Sequence, residues 1–200
     1  MPDDAVPDDS AQGHITGLLL AAGRGRRAGG PKALRVDPDG LAWVVRTARV
    51  LRAGGCDSVV VVVGAAAGRV RSLLADEGVG VVESPDWEQG MGASLGAGLD
   101  ALVATAADAA LVHLVDLPDV GADVVARVLG HARTGVEPDR VLARASYADG
   151  AGHPVLIGRT HWAGVAASAT GDRGARGYLD SHPVVAIDCS DLAGGLDSDT

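Results

Sequence analysis

Hydrophobic positions along this chain alternate between two textures. Residues 15–22 (ITGLLLAA), 58–63 (SVVVVV) and 109–115 (AALVHLV) are short, almost unbroken apolar runs. Runs of that length, rich in Val and Leu, predict strands buried on both faces of a parallel sheet. Between them, apolar residues recur at helical spacing over 41–54, 67–78, 93–106 and 122–133, and the first two stretches stop at glycine. A further short strand is expected at 79–84. This order predicts an α/β protein with a single, Rossmann-like, mostly parallel sheet flanked by helices. After Pro138 the alternation loosens. There 140–147 and 153–158 read as strands of a smaller or mixed sheet region, 159–168 and 173–181 as helices, and 183–189 as a last strand. No internal linker divides the chain, so residues 14–200 are expected to form one domain behind a disordered acidic tail over 1–13.

Charge changes the picture in one place. The chain of 200 residues carries a net charge of −9, which argues against nucleic acid as a partner. No apolar run approaches the ~20 residues of a membrane span, and the acidic first residues lack the apolar core of a secretory leader. Cys56 and Cys189 match neither a disulfide framework nor a zinc spacing and read as buried thiols of a reducing cytosol. A cytoplasmic location is therefore expected. Against this acidic background, Arg24, Arg26, Arg27, Lys32 and Arg35 cluster just after the first strand. A local basic loop in an acidic protein suits a small anionic ligand. Lys32 is the only lysine in a chain that otherwise uses arginine.

Glycines in that loop let backbone N–H groups approach a phosphate closely. Gly23-Arg24-Gly25-Arg26-Arg27-Ala28 formally fits a dinucleotide fingerprint, but Gly29-Gly30-Pro31 would interrupt the helix that must follow. The second strand ends in Gly64-Ala65, where that fingerprint expects a ribose-binding acid. A P-loop fails as well, because Pro31 stands at its lysine position. What remains is a ligand loop at the carboxyl edge of the sheet. Lysine there would offer a compact charge where arginine's wide fork fits less well.

The stretch LAAGRGRRAGGPK, 20–32, resembles the LAAGxGxRxGxxK signature of nucleotidyltransferases with a glycosyltransferase A-type fold, with Arg27, Gly29 and Lys32 on its Arg, Gly and Lys. Further stretches are similar to the molybdenum-cofactor branch of that family: SPDWEQGMGASLGAGL, LVDLPDV, GHPVLIGR, GDRGARGYL and the terminal DSDT. Ala21-Ala22-Gly23 resembles the cytidylyl members rather than the guanylyl ones. The resemblance implies the nucleotide-diphospho-sugar transferase architecture. It also implies that Leu20, Ala21, Ala22, Gly23, Arg24, Gly25, Lys32, Gly90 and Ser94 bind the nucleotide, and that His153 and Asp172 flank the acceptor. Asp116 and Asp199 are implied as ligands of Mg²⁺, and Arg27, Lys32 and Asp116 as the catalytic set.

The residues themselves leave plainer roles open. Asp116 follows the strand at 109–115 and belongs at the sheet edge, where a carboxylate can hold Mg²⁺ while phosphates complete its shell. A turn or helix-cap acid is the alternative, although Asp119 and Asp123 are nearby for that purpose. Asp199 and its neighbour Asp197 also fit an acidic terminus with no ligand. Ser94 fits a helix cap, and His153 and Asp172 fit turns. His113, on an apolar strand, reads as a hydrogen-bonded core residue, and Trp87 and Trp162 as packing.

The expected function is Mg²⁺-dependent transfer of CMP from CTP to the phosphate of a molybdopterin-type acceptor, with pyrophosphate released and a molybdenum enzyme as the receiver of the product. The alternatives are guanylyl transfer, another phosphorylated acceptor such as a sugar or metabolite phosphate, or a non-catalytic cofactor-binding chaperone.

Overall fold

The computed structural model describes residues 13–25, 29–134 and 137–198. Its strands are β1 (Ile15–Ala21), β2 (Ser58–Val63), β3 (Gly80–Glu83), β4 (Ala109–Leu114), β5 (Leu142–Tyr147), β6 (Gly150–Gly158) and β7 (Val185–Asp188). The helices are α1 (Trp43–Ala53), α2 (Ala67–Leu74), α3 (Met91–Val103), α4 (Ala122–Ala132), α5 (Trp162–Ser168) and α6 (Arg176–Asp180). All seven strands lie in one sheet of order β3-β2-β1-β4-β6-β5-β7. The strands after Pro138 therefore extend the main sheet and do not make a separate smaller one.

The apolar runs go where their composition sends them. Every residue of β1 is buried, and β2 and β4 pair with it in parallel, one on each side. Successive side chains of β1 point to opposite faces. Ile15, Leu19 and Ala21 join a core with α1, α2 and α4, while Leu18 and Leu20 join a second core with α3 and α5. The helices thus cover both faces, as a parallel sheet requires.

β6 runs antiparallel to both β4 and β5, and β7 runs parallel to β5. That reversal brings the start of β6 to the edge where β1 and β4 end, so residues 150–154 meet the loops leaving those strands. The opposite edge is tied down. Asp108 Oδ2 accepts the His14 N–H at 2.8 Å, Asp57 Oδ2 accepts the Ile15 N–H at 2.7 Å, and Arg159 Nε donates to the Ala107 carbonyl at 2.8 Å. No helix among the described residues is long and apolar enough to cross a membrane.

One core residue departs from expectation. His113 is fully buried, yet neither ring nitrogen has a hydrogen-bond partner among the described residues. It alternates with Leu111 and Val115 and so shares their face of β4. Burial, reinforced by His153 and Arg46, pushes its pKa from 6.5 down to about 3.

This gives a pH dependence of defined sign. Below 6.5 the unfolded chain protonates this ring while the folded chain does not, so stability present above 6.5 is lost as pH falls toward 3. The loss amounts to about 1.4 kcal/mol per pH unit from this group, or about 2 kcal/mol between pH 6.5 and 5. His113→Leu should remove that component, because an apolar side chain of similar size leaves no unpaired buried nitrogen. Urea unfolding of both proteins at pH 7.5 and 5 checks this. Equal losses in the two would show that His113 is not the titrating group.

Candidate functional site

β1 is the strand at which the chain order reverses: β2 and β3 lie to one side of it and β4 to the other. A crevice at such a switch point, beyond the carboxyl ends of the strands, is where open α/β sheets hold ligands. Here it is a cavity of about 420 Å³ between the loop leaving β1 and the end of β4. Gly25 shapes the loop. Its φ is +60°, the Gly30 N–H donates to its carbonyl at 3.2 Å, and a Cβ there would lie 1.9 Å from the Gly30 oxygen. Only glycine fits that turn.

The chain leaves the turn through Pro31 into a single 3-10 turn, Lys32–Leu34, anchored by the buried Ala33. From that base Lys32 crosses the cavity. Its Nζ donates to Asp116 Oδ2 at 2.9 Å, with the two side chains only 13% and 21% exposed. Two residues read separately in the sequence thus form one ion pair, joining the glycine loop to the end of β4.

α3 supplies another wall. Gly90 precedes it with φ +110°, and a Cβ at Gly90 would lie 2.6 Å from the Gly171 carbonyl carbon and 2.8 Å from Asp172 Oδ1. The helix start is thereby pressed against the 171–172 loop, which brings Asp172 to the cavity. Ser94 does not cap this helix. It sits one turn inside it, buried, and lines the cavity. On the outer rim the Arg24 guanidinium lies 4.9 Å over the Trp87 ring and pairs with Glu88. Trp87 rests against Gly64 at the end of β2, where a Cβ would meet its ring at 2.6 Å.

A second cavity of about 320 Å³ adjoins the first and shares Leu20, Met91, Leu114 and Asp172 with it. His153 lines this second space beside Arg144, Arg176 and Asp197. Burial lowers the His153 pKa to about 4; Asp116 opposes the shift, and Arg144 and Arg176 add to it. The ring is therefore neutral near pH 7. The carboxyl-terminal segment closes this side: Asp119 Oδ2 accepts the N–H groups of Gly194 and Gly195 at 2.8 and 2.9 Å, and the Ser198 N–H donates to the Asp116 carbonyl at 2.9 Å.

All the expected nucleotide-binding residues, Leu20 through Gly25 with Lys32, Gly90 and Ser94, line the first cavity together with Asp116. His153 lines only the second, and Asp172 lines both. Arg27 and Asp199 lie outside the described residues. Sequence reasoning missed Glu88, Arg144 and Arg176, and it read Trp87 as packing alone. GDRGARGYL carried Arg176 as a visible signal, whereas nothing marked Arg144 on its strand. Among the described residues no three His, Cys, Asp or Glu side chains gather as a metal cage. Asp116 nevertheless keeps one carboxylate oxygen off Lys32, and that oxygen has no hydrogen-bond partner among the described residues. One carboxylate facing a phosphate-sized crevice fits the way Mg²⁺ is bound, with substrate phosphates and water completing its shell.

Comparison with known proteins agrees with this geometry. Residues 17–186 match the family described as the MobA-like NTP transferase domain. The chain is 40% identical over 198 residues to nicotine blue oxidoreductase of Paenarthrobacter nicotinovorans, covering 93% of this chain and 92% of that protein. The crystal structure of Rv0371c from Mycobacterium tuberculosis H37Rv superposes with a TM-score of 0.78 at 35% identity, covering 94% of this chain and 93% of that one. A manganese complex of Rv0371c gives 0.73 at 31% identity, covering 92% and 94%.

Gly90→Ala should be costly, because it strains the backbone and clashes with the 171–172 loop together. Left-handed strain alone costs on the order of 1–3 kcal/mol, or roughly 2–12 °C in thermal midpoint for a chain of this size. Differential scanning calorimetry beside Gly96→Ala, where a Cβ meets open space, measures it. Equal midpoints for the two variants would show that the 90–172 contact is not close in solution.

Proposed function

The chain belongs to the family of MobA-like NTP transferase domains, and from that premise we propose that it transfers CMP from CTP to the phosphate of a molybdopterin-type acceptor. The chain is a nucleotidyltransferase and takes a nucleoside triphosphate. The observation that supports metal-assisted transfer from a triphosphate is the Lys32–Asp116 pair on the floor of the glycine-loop crevice. A cation and an anion side by side suit a triphosphate and its metal.

An oxygen of the acceptor phosphate attacks the α-phosphorus, the bond from α-phosphorus to the bridging oxygen breaks, and pyrophosphate leaves. Such a transfer needs positioning and charge neutralisation more than covalent help. Lys32 and Arg27 hold the triphosphate and meet the charge that grows on the leaving pyrophosphate. Loop N–H groups from Gly23 to Gly25, and the start of α3 behind Gly90, face the nucleotide; a helix start favours negative charge. Asp116, with Asp199, would hold Mg²⁺; the manganese complex of Rv0371c supports a divalent ion. A bound divalent ion there supplies charge neutralisation at the α-phosphate. Cytidine preference rests on Ala21-Ala22-Gly23, with Ala21 and Ala22 buried against the cavity. His153 and Asp172 flank the acceptor, and the product passes to a molybdenum enzyme.

The relative named nicotine blue oxidoreductase favours a second reading, an oxidoreductase activity, for which a nicotinamide dinucleotide is a common source of hydride. The local structure weighs against a dinucleotide fold. Among the described residues no α-helix follows the glycine loop until Trp43, and β2 runs into Gly64 and Ala65 without an acid for the ribose.

Three measurements test the proposal. Asp116→Asn should nearly abolish Mg²⁺-dependent pyrophosphate release while the chain still folds by circular dichroism, since an amide is a poor ligand for a hard cation. Turnover within a few-fold of the parent would exclude the metal role. Lys32→Ala should lose on the order of 10²–10³ in kcat, and Lys32→Arg should also be impaired because its fork does not replace a point charge. Parent-like activity of both variants would remove Lys32 from catalysis. CTP should be used better than GTP at equal Mg²⁺. Oxidation of reduced nicotinamide cofactor without pyrophosphate release would instead establish the second reading.

A further inference from the structure

Arginine is deployed unevenly in this protein. Arg24, Arg46, Arg49, Arg71, Arg127 and Arg140 each pair with a carboxylate. Arg52, Arg133 and Arg159 donate to backbone carbonyls. Among the described residues, the side chains of Arg69, Arg144, Arg173 and Arg176 make neither a hydrogen bond nor an ion pair. Arg69 is exposed on α2. The other three line the second cavity.

Three unpaired cations around one space are unexpected in a chain with a net charge of −9. Arg144 is the most telling. It projects from β5 beside Val155 of β6, on the face of the sheet that carries Leu142, and its Nε is buried with no hydrogen-bond partner. A buried, unpaired guanidinium nitrogen is expensive unless a ligand satisfies it. Burial lowers the Arg144 pKa; Asp180 opposes that, and Arg176 adds to it. Asp180 does not come within ion-pair distance. Asp172 and Asp197 share the cavity wall and carry opposing charge. The floor is aliphatic: Leu95, Val112, Val155, Ile157 and Leu179.

We propose that Arg144 and Arg176 form the anion-holding subsite for the acceptor, and that they select a phosphomonoester whose body is apolar or flat enough to lie on this aliphatic floor. The assignment rests on the nucleotidyltransferase reading only in taking the second cavity as the acceptor's side. Arginine suits the task, since its fork holds two phosphate oxygens at once. Lys32 and Asp116 serve the nucleotide in the adjoining cavity, so the two ligands fit side by side.

Phenyl phosphate and inorganic phosphate are suitable probes, titrated calorimetrically into the full chain with and without saturating CTP and MgCl₂. Phenyl phosphate should bind in both conditions, and several-fold more tightly than inorganic phosphate because its ring covers the aliphatic floor. Arg144→Gln and Arg176→Gln should each weaken phenyl phosphate about 10- to 100-fold. CTP affinity should stay within about threefold, and Arg69→Gln should change neither ligand. The exposed Arg176 variant keeps the test open if Arg144→Gln folds poorly. Displacement of phenyl phosphate by CTP would place the anion in the nucleotide cavity and overturn the assignment. So would unchanged phenyl phosphate binding in Arg176→Gln, or equal affinity for the two probes. Failure of the parent to bind CTP, with arginine-dependent phenyl phosphate binding intact, would instead overturn the nucleotidyltransferase reading and leave the subsite standing.

Discussion

The complete burial of β1 between two parallel neighbours is the constraint on which the rest of the molecule depends. A strand with no exposed residue needs a partner on each edge and a helical layer on each face. α1, α2 and α4 cover one face, and α3 and α5 the other. With β2 and β4 on opposite sides, the chain must reverse its direction of travel across the sheet at β1. The crevice is therefore a consequence of how the core is built. The opposite edge carries hydrogen bonds from Asp57, Asp108 and Arg159 that lock strand starts, so the two edges divide stability from chemistry.

Within the crevice, electrostatics is concentrated in one contact. The Lys32–Asp116 pair is mostly shielded from solvent, and shielding strengthens the attraction while raising the cost of either partner standing alone. Each residue thus holds the other ready. The ammonium sits on a flexible stem, and only one carboxylate oxygen of Asp116 contacts it. The base of the lysine side chain lies on a turn anchored by the buried Ala33, and its ammonium reaches Asp116 Oδ2 at 2.9 Å.

Polar groups elsewhere separate into two kinds. Asp119 satisfies two backbone N–H groups and brings the carboxyl-terminal segment to β4, a structural task. His113 and Arg144 instead hold buried nitrogens without partners. His113 stands behind the sheet among apolar side chains, where its cost is met as a depressed basicity. Arg144 faces a cavity with room for an anion. The same kind of deficit therefore has different meaning according to whether a ligand can reach it.

The sequence by itself determined the elements and most of the residues that line the first cavity. Five consecutive valines favour a strand hidden on both faces, and a glycine loop directly after β1 has to lie at the carboxyl edge of a parallel sheet. Lys32, Asp116 and the Gly90–Ser94 stretch were legible because glycine, a lone lysine and a carboxylate after an apolar run are local signals. Their pairing was not legible, since Lys32 and Asp116 lie 84 positions apart and only the parallel register of β1 with β4 brings them together. The antiparallel β6 was equally hidden, because an apolar run states burial but not direction. That direction alone carries His153 to the ligand edge and turns Arg144 of the neighbouring strand into the second cavity. Ser94 shows the same limit from the other side: its position near a helix start suggested a cap, and only the earlier beginning of α3 at Met91 made it part of the wall. Local chemistry is written along the chain; which chemistries meet is decided by strand order and direction, which arise from packing across the whole sheet.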